Sequence, residues 1–275
     1  MNNRSGVHKV EEKYSGRVHF MDFARGVIII GVVIYHALFD MVYVFRFFSS
    51  PIFEWPIVTF IRDFGAGLLI FMSGIACHLS RNNLKRGLIC LGIAVGMSLF
   101  TWFFMNDEFI YFGVLHFFAI AMIGYGLLKK AVDKLPTWMA AVFFVLFLVT
   151  FGIPYYTHIG IYTWGIYKLP ETFRTGNYVF HSIGIPAIAG AGYGANAVFR
   201  LSADYFPIIP WIFLFLTGNC LGHFVKEGRI PKWLYANPCK PISFIGTKTL
   251  YIYVAHQPVV YGILLLIYKI MNKSA

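Results

Sequence analysis

Long apolar runs alternate with short charged clusters along the chain, and seven of these runs approach or reach the length of a membrane span. They cover Ala24 to Phe45, Ile57 to Leu79, Gly87 to Met105, Phe109 to Leu128, Trp138 to Gly152, Tyr205 to Phe224 and Thr247 to Ile270. A hydrocarbon core of about 30 Å takes about 20 helical residues to cross, so the fifth run is the shortest fit. The pattern predicts an all-α fold, a polytopic transmembrane helix bundle of about seven spans. The first span is too long, and its polar leader too mixed, for a cleaved signal peptide. This reading gives an N-terminal tail over 1–20 and a single transmembrane domain over 21–272. Residues 153–204 are Gly-rich and aromatic, and are read as an external or re-entrant loop packed on the bundle. An eighth span over 179–199 is the alternative; it would carry the five basic residues from Lys226 to Lys248 to the outer side.

Composition agrees with the pattern. Of 275 residues 58% are apolar and only 13% charged, against about 25% charged in soluble chains. The net charge of +11 reads first as topology, because the basic residues sit beside apolar runs and no segment resembles a nucleic-acid-binding fold. With a cytoplasmic N-terminus, sixteen of the 23 Lys and Arg residues fall inside, among them Arg17, Arg25, Arg81, Lys85, Arg86, Lys129, Lys130, Lys134, Lys232, Lys240 and Lys248. The acidic turn Asn106-Asp107-Glu108 falls outside. Cys77, Cys90, Cys220 and Cys239 all lie toward the cytoplasmic side, where no disulfide is expected, and their spacing is not that of a zinc site. The chain has no internal repeat, Walker loop or nucleophile elbow.

Ionisable residues at membrane depth are costly and mark cavities or partners. Asp22, Arg25, His36 and Asp40 are spaced by 3, 11 and 4 residues. At about 100° per residue they fall within roughly 60° of one another on the first span. Arg25 and His36 lie ~16 Å apart along the axis. Other spans add Arg62 and Asp63, His116, Asp204, and His256 with Gln257 just before Pro258. His78 and His223 are read as interface residues that snorkel, and His181 as a loop residue. A zinc site from His36, His116 and His256 lacks the paired spacing of known zinc motifs, so no metal is assigned.

These residues lie in stretches with a familiar look. Arg17-Val18-His19-Phe20-Met21-Asp22-Phe23-Ala24-Arg25-Gly26 followed by His36, then Gly113-Val114-Leu115-His116, Asp204-Tyr205-Phe206-Pro207-Ile208-Ile209-Pro210-Trp211, and Ile245 through Pro258, occur in that order. Together they resemble the heparan-alpha-glucosaminide N-acetyltransferase-like family of membrane proteins, in particular its short bacterial members. The wider transmembrane acyltransferase group also carries an Arg, ten residues and a His on one helix, which Arg25 and His36 satisfy.

The resemblance implies transfer of an acetyl group from cytoplasmic acetyl-CoA, a co-substrate, to a sugar amine or hydroxyl on the far side. No permanently bound cofactor is expected. Asp22 and Arg25 would hold CoA phosphates. His36 would act as general base, the preferred route, or as a transient nucleophile, and Asp40 would orient it or bind acceptor hydroxyls. Arg62, Asp63, His116, Asp204, His256 and Gln257 would bind the acceptor. The expected partners are acetyl-CoA, an extracytoplasmic glycan or other small acceptor, and the lipid bilayer; a homodimer is compatible with this picture, and the bacterial inner membrane is the expected location. Two other readings compete: a proton-coupled transporter using the same His and Asp residues, and a non-catalytic membrane subunit.

Overall fold

Every backbone N–H and C=O in a bilayer needs an internal partner, and the apolar runs fold accordingly as helices. A computed structural model describes residues 17–104, 109–151, 175–185, 191–192, 199–200, 202 and 204–273. The expected tail before residue 17, the acidic turn at 106–108 and most of the expected loop over 153–204 lie outside the described residues. The sheet among the described residues is a two-residue parallel pairing of Ala191–Gly192 (β1) with Phe199–Arg200 (β2). The chain divides into two compact units, residues 1–69 with 227–275, and residues 70–226.

The first unit is built on α1 (His19–Phe39), which continues through a π-helical turn, Asp40–Val44. The Phe45 amide closes that turn by donating to the Asp40 carbonyl at 2.8 Å. Arg46 then takes a left-handed φ of 51°, a conformation that commonly ends a helix. A single 3-10 turn, Pro51–Glu54, is capped by the Ser50 hydroxyl, and α2 (Pro56–Leu79) starts on a proline whose missing N–H costs nothing at a helix start. The unit boundary falls within α2. After residue 227 come a 3-10 turn, Lys232–Tyr235, a short helix that we number α8 (Lys240–Thr247), and α9 (Thr249–Lys273).

Helix association in lipid relies on close packing, because lipid tails are as apolar as leucine. In the first unit the close approach is made by two glycines facing each other's helix. A Cβ on Gly26 of α1 would collide with the Ile242 carbonyl of α8, and a Cβ on Gly246 of α8 would collide with the Asp22 carbonyl of α1. The pairings of Gly26 with Ile242 and Asp22 with Gly246 show that α8 runs antiparallel to α1. The chain then reverses at Lys248, and α9 climbs back alongside α1.

The second unit holds α3 (Asn83–Phe104), α4 (Val114–Val132), α5 (Met139–Phe151), α6 (Tyr178–Ile183) and α7 (Ile208–Lys226). Its buried core includes Ile70, Cys77, Cys90, Phe117, Met122, Tyr125, Trp211, Leu214 and Phe215. Trp211 is almost fully buried, with Phe147, Phe151 and Phe206 around it. Glycines again set a crossing: a Cβ on Gly74 of α2 would meet the Phe215 carbonyl of α7, and one on Gly218 would meet that of Phe71.

Among the described residues six helical stretches are long and apolar enough to cross a membrane: His19–Val44, Pro56–Leu79, Asn83–Phe104, Val114–Val132, Ile208–Lys226 and Thr249–Asn272. The expected fifth span forms as α5, 13 residues, roughly 20 Å at 1.5 Å per residue and short of a full crossing without its flanks. The expected fourth span begins later than hydropathy suggested. Gly113 is extended, with φ −102° and ψ −175°, and acts as the N-cap of α4. Large apolar side chains such as Phe103, Leu127 and Val145 are exposed, as lipid-facing positions are.

Candidate active site

The polar stripe of α1 is paired along its length within the first unit. At its start Asp22, 5% exposed, accepts a 2.6 Å hydrogen bond from Arg17 Nε and lies 3.8 Å from Arg25 Nη1. Two guanidinium groups thus converge on one buried carboxylate beside the backbone of α8. That carboxylate raises the Arg17 guanidinium above its ordinary pKa, chiefly through the hydrogen bond.

Further along α1, the ring of His36 packs against the ring of His256 from α9, centroids 4.9 Å apart and inclined by 55°. Tyr35 stands edge-on to His36 at 5.5 Å. Four residues on, Asp40 is 1% exposed and accepts from Gln257 Nε2 through both oxygens, at 3.1 Å each. A bare carboxylate buried at that depth would be very costly; the two bonds from Gln257 offset part of that. His36, Asp40, His256 and Gln257 therefore form one cluster between α1 and α9. It depends on the reversal at Lys248, which brings the closing segment back to the stripe.

Arg62 and Asp63 join this neighbourhood from α2. Arg62 approaches the single oxygen Oδ1 of Asp63 with Nε and Nη2, each at 2.8 Å, and lies close to Tyr35. The second oxygen, Oδ2, is buried and has no hydrogen-bond partner among the described residues. Nothing in the sequence marks Tyr35, since a tyrosine in an aromatic-rich span carries no signal of its own.

The remaining two predicted acceptor residues, His116 and Asp204, meet each other's segment in the second unit, at the N-terminus of α4. There the free N–H groups of a helix need acceptors. The Gly113 amide donates to His116 Nδ1 at 3.2 Å and the Val114 amide to Asp204 Oδ2 at 3.1 Å. Because Nδ1 accepts, Nε2 carries the hydrogen and donates to Ser98 Oγ at 3.2 Å. The Ser202 hydroxyl donates to the Asp204 carbonyl, and the Phe206 amide to the Phe112 carbonyl. The Gly-Val-Leu-His and Asp-Tyr-Phe-Pro stretches thus dock on one another as a helix cap. His116 sits in the first turn of α4, nearer the helix end than its hydropathy position implied.

Other histidines also depart from their sequence reading. His181 is fully buried, stacked on Tyr205 at 4.3 Å with Nδ1 2.9 Å from the Ile185 carbonyl, and burial pushes its pKa down to about 4. The His78 side chain is 8% exposed and lies 3.9 Å from Asp133, so it does not snorkel to solvent. His223 reaches the Thr137 hydroxyl at 3.3 Å. Asp133 itself accepts from Tyr125 and Lys129; burial pushes its carboxyl up, and these bonds outweigh it and hold it below the usual range. Among the described residues no three His, Cys, Asp or Glu side chains converge in a way that could hold a metal ion.

A multi-pass all-helical protein with paired histidines and carboxylates at membrane depth is the class defined by fold and site together. Within that class the chain belongs to a specific family: the model of the heparan-alpha-glucosaminide N-acetyltransferase catalytic family matches residues 17–258, which takes in all four motif stretches. Neither a curated protein nor a solved structure shows significant similarity to the chain. Family membership makes membrane acetyl transfer the chemistry to be explained.

Proposed function

We propose that this protein moves an acetyl group from acetyl-CoA on the cytoplasmic side to a sugar amine or hydroxyl on the opposite side, with α1 as the path between them. The observation that carries this reading is the paired stripe of α1: two arginines on Asp22 at one end, a histidine pair in the span, and a buried carboxylate one turn beyond. The distribution of basic residues supports the orientation, with the arginine end cytoplasmic. Arg17 and Arg25 offer guanidinium forks suited to CoA phosphates, and Asp22 holds them in place. Lys232, Lys240 and Lys248 belong to the segments that follow on the same side and add positive charge. The thioester arm runs along α1 to His36, the catalytic residue of the stripe, where the acetyl carbonyl meets the acceptor. Asp40, Arg62, Asp63, His256 and Gln257 line the acceptor's approach. A bacterial inner membrane fits this arrangement.

The test supplies labelled acetyl-CoA to the N-terminal face of the purified protein in vesicles, with sugar acceptors on the other face. The parent is expected to transfer label across the bilayer, and His36→Ala to lower the rate by about 10²-fold or more. Transfer by His36→Ala at the parent rate would overturn the role of His36. Arg25→Ala should weaken acetyl-CoA binding measured by calorimetry; unchanged affinity would remove Arg25 from the donor site.

A further inference from the structure

The ring packed against His36 has one-sided hydrogen bonding. Nδ1 of His256 lies 2.6 Å from the Tyr253 carbonyl oxygen. A carbonyl only accepts, so Nδ1 carries the hydrogen, and the neutral ring holds its lone pair on Nε2. His256 is 8% exposed, and that Nε2 is buried with no hydrogen-bond partner among the described residues. Gln257 repeats the pattern. Its Nε2 donates to both oxygens of Asp40, which fixes the amide orientation, because the opposite one would set a carbonyl against a carboxylate. Its Oε1 is then left buried and without a partner among the described residues. Pro258 follows directly and withholds the N–H that a regular helix would send back to the Val254 carbonyl.

Buried acceptors are nearly always paired, since leaving one unpaired forfeits its hydration. Two unpaired acceptors on consecutive residues, beside the histidine of the stripe, mark a place where an incoming group brings its own N–H or O–H. We infer that His256 is the base that takes the proton from the acetyl acceptor, with Gln257 Oε1 as a second seat for the acceptor's nucleophilic group. This rests on the acetyl-transfer reading and sharpens it: proton removal, which the α1 stripe alone would assign to His36, moves to α9, and His36 faces the thioester.

The step balances. The acceptor's O–H or N–H donates to His256 Nε2, and its oxygen or nitrogen lone pair attacks the acetyl carbonyl carbon of the thioester as the proton passes to Nε2. A C–O or C–N bond forms, and the C–S bond breaks with its electron pair on sulfur. The imidazolium then returns its proton to the CoA thiolate. An acetyl thioester and an acceptor become an acetylated acceptor and a thiol, and His256 is neutral again. The Tyr253 carbonyl keeps the ring in one tautomer and favours the transient imidazolium, the part that an orienting acceptor plays behind any catalytic imidazole.

The experiment uses the full chain in vesicles with labelled acetyl-CoA and two probes, glucosamine as an amine acceptor and glucose as a hydroxyl acceptor. His256→Asn keeps a side-chain N–H able to reach the Tyr253 carbonyl while removing the base. It is expected to bind acetyl-CoA with parent affinity and to lose about 10²- to 10⁴-fold in kcat. His256→Ala is expected to regain transfer as imidazole is added, in proportion to its concentration. Transfer by His256→Asn within about threefold of the parent would overturn the inference. So would a parallel loss of acetyl-CoA affinity with no imidazole rescue, which is the signature of a packing role. If the parent transfers acetyl to neither sugar, the acetyl-transfer reading itself falls and the inference with it. If the parent and His256→Asn both transfer, only the inference does.

Discussion

His116 and His256 occupy similar places in the sequence, each within an apolar run, yet the fold puts them in opposite conditions. In the second unit both ring nitrogens of His116 are engaged, Nδ1 by the Gly113 amide and Nε2 by Ser98, and Asp204 takes the next amide of the same helix end. In the first unit His256 uses one nitrogen on a carbonyl of its own helix and keeps the other buried and unpaired. A histidine at membrane depth thus has two quite different uses. Where a helix terminus supplies unsatisfied N–H groups, the ring is a cap. Within the helix of α9 the ring spends one nitrogen on a carbonyl, and the other is left without a hydrogen-bond partner among the described residues.

The largest expected effect that would break this contrast is on activity. His256→Asn should lower transfer by about 10²-fold or more with little change in thermal stability. His116→Ala, measured in the same vesicle assay, should keep most of its transfer rate per folded molecule. A comparable loss in His116→Ala at unchanged stability would make the helix cap part of the chemistry.

A second comparison concerns Asp40. Replacing it with alanine leaves the half-buried Gln257 amide N–H groups without the Asp40 acceptor, which should cost about 1–3 kcal/mol of stability. Denaturation in detergent, parent against Asp40→Ala, checks this; equal midpoints would mean that Gln257 finds another partner readily. The cap is expected to matter less. His116→Ala should lose ~0.5–2 kcal/mol, as other side-chain caps do, and a loss well above that range would show that His116 supports more than the start of α4.

The smallest effect is a pH slope. His181 holds its folded pKa at about 4, below the ordinary histidine value of about 6.5, so between these values the unfolded chain binds a proton that the folded chain refuses. Its contribution is nearly complete above pH ~7 and is lost as the pH falls toward 4, the loss amounting to about 1.4 kcal/mol at pH 5.5. Melting curves of the parent and His181→Gln, each referred to its own value at pH 7.5, should diverge over that interval, with the parent falling faster. Parallel curves would show that the buried ring does not resist protonation.

Much of the fold was legible because lipid imposes simple demands. Six of the seven apolar runs form spanning helices near their expected bounds, since a helix is the one way for a single segment to satisfy its backbone in hydrocarbon. The fourth was placed too early because hydropathy cannot register Gly113, whose extended backbone, and not any loss of apolar character, sets where α4 begins. The α1 stripe was legible from helical periodicity alone. Its partners were not. Tyr35 stands beside His36 and Arg62 without any motif, and the amide that Asp204 caps, that of Val114, lies ninety residues away in sequence. His181 looked like an ordinary loop histidine until Tyr205 and Ile185 closed over it.

By itself, then, the sequence determined the spans, their alternation with basic clusters, and one polar face on the first helix. These follow from hydrophobicity and the 100° step, which are local properties of the chain. The tertiary structure decided which polar groups meet and which of them stay available. The reversal at Lys248 brings Gln257 to Asp40 across 217 positions of sequence, and at the start of α4 the Gly113 amide and Ser98 engage His116 while the Val114 amide engages Asp204. Hydrogen-bond satisfaction is a property of pairs, and only the folded chain says who the partner is.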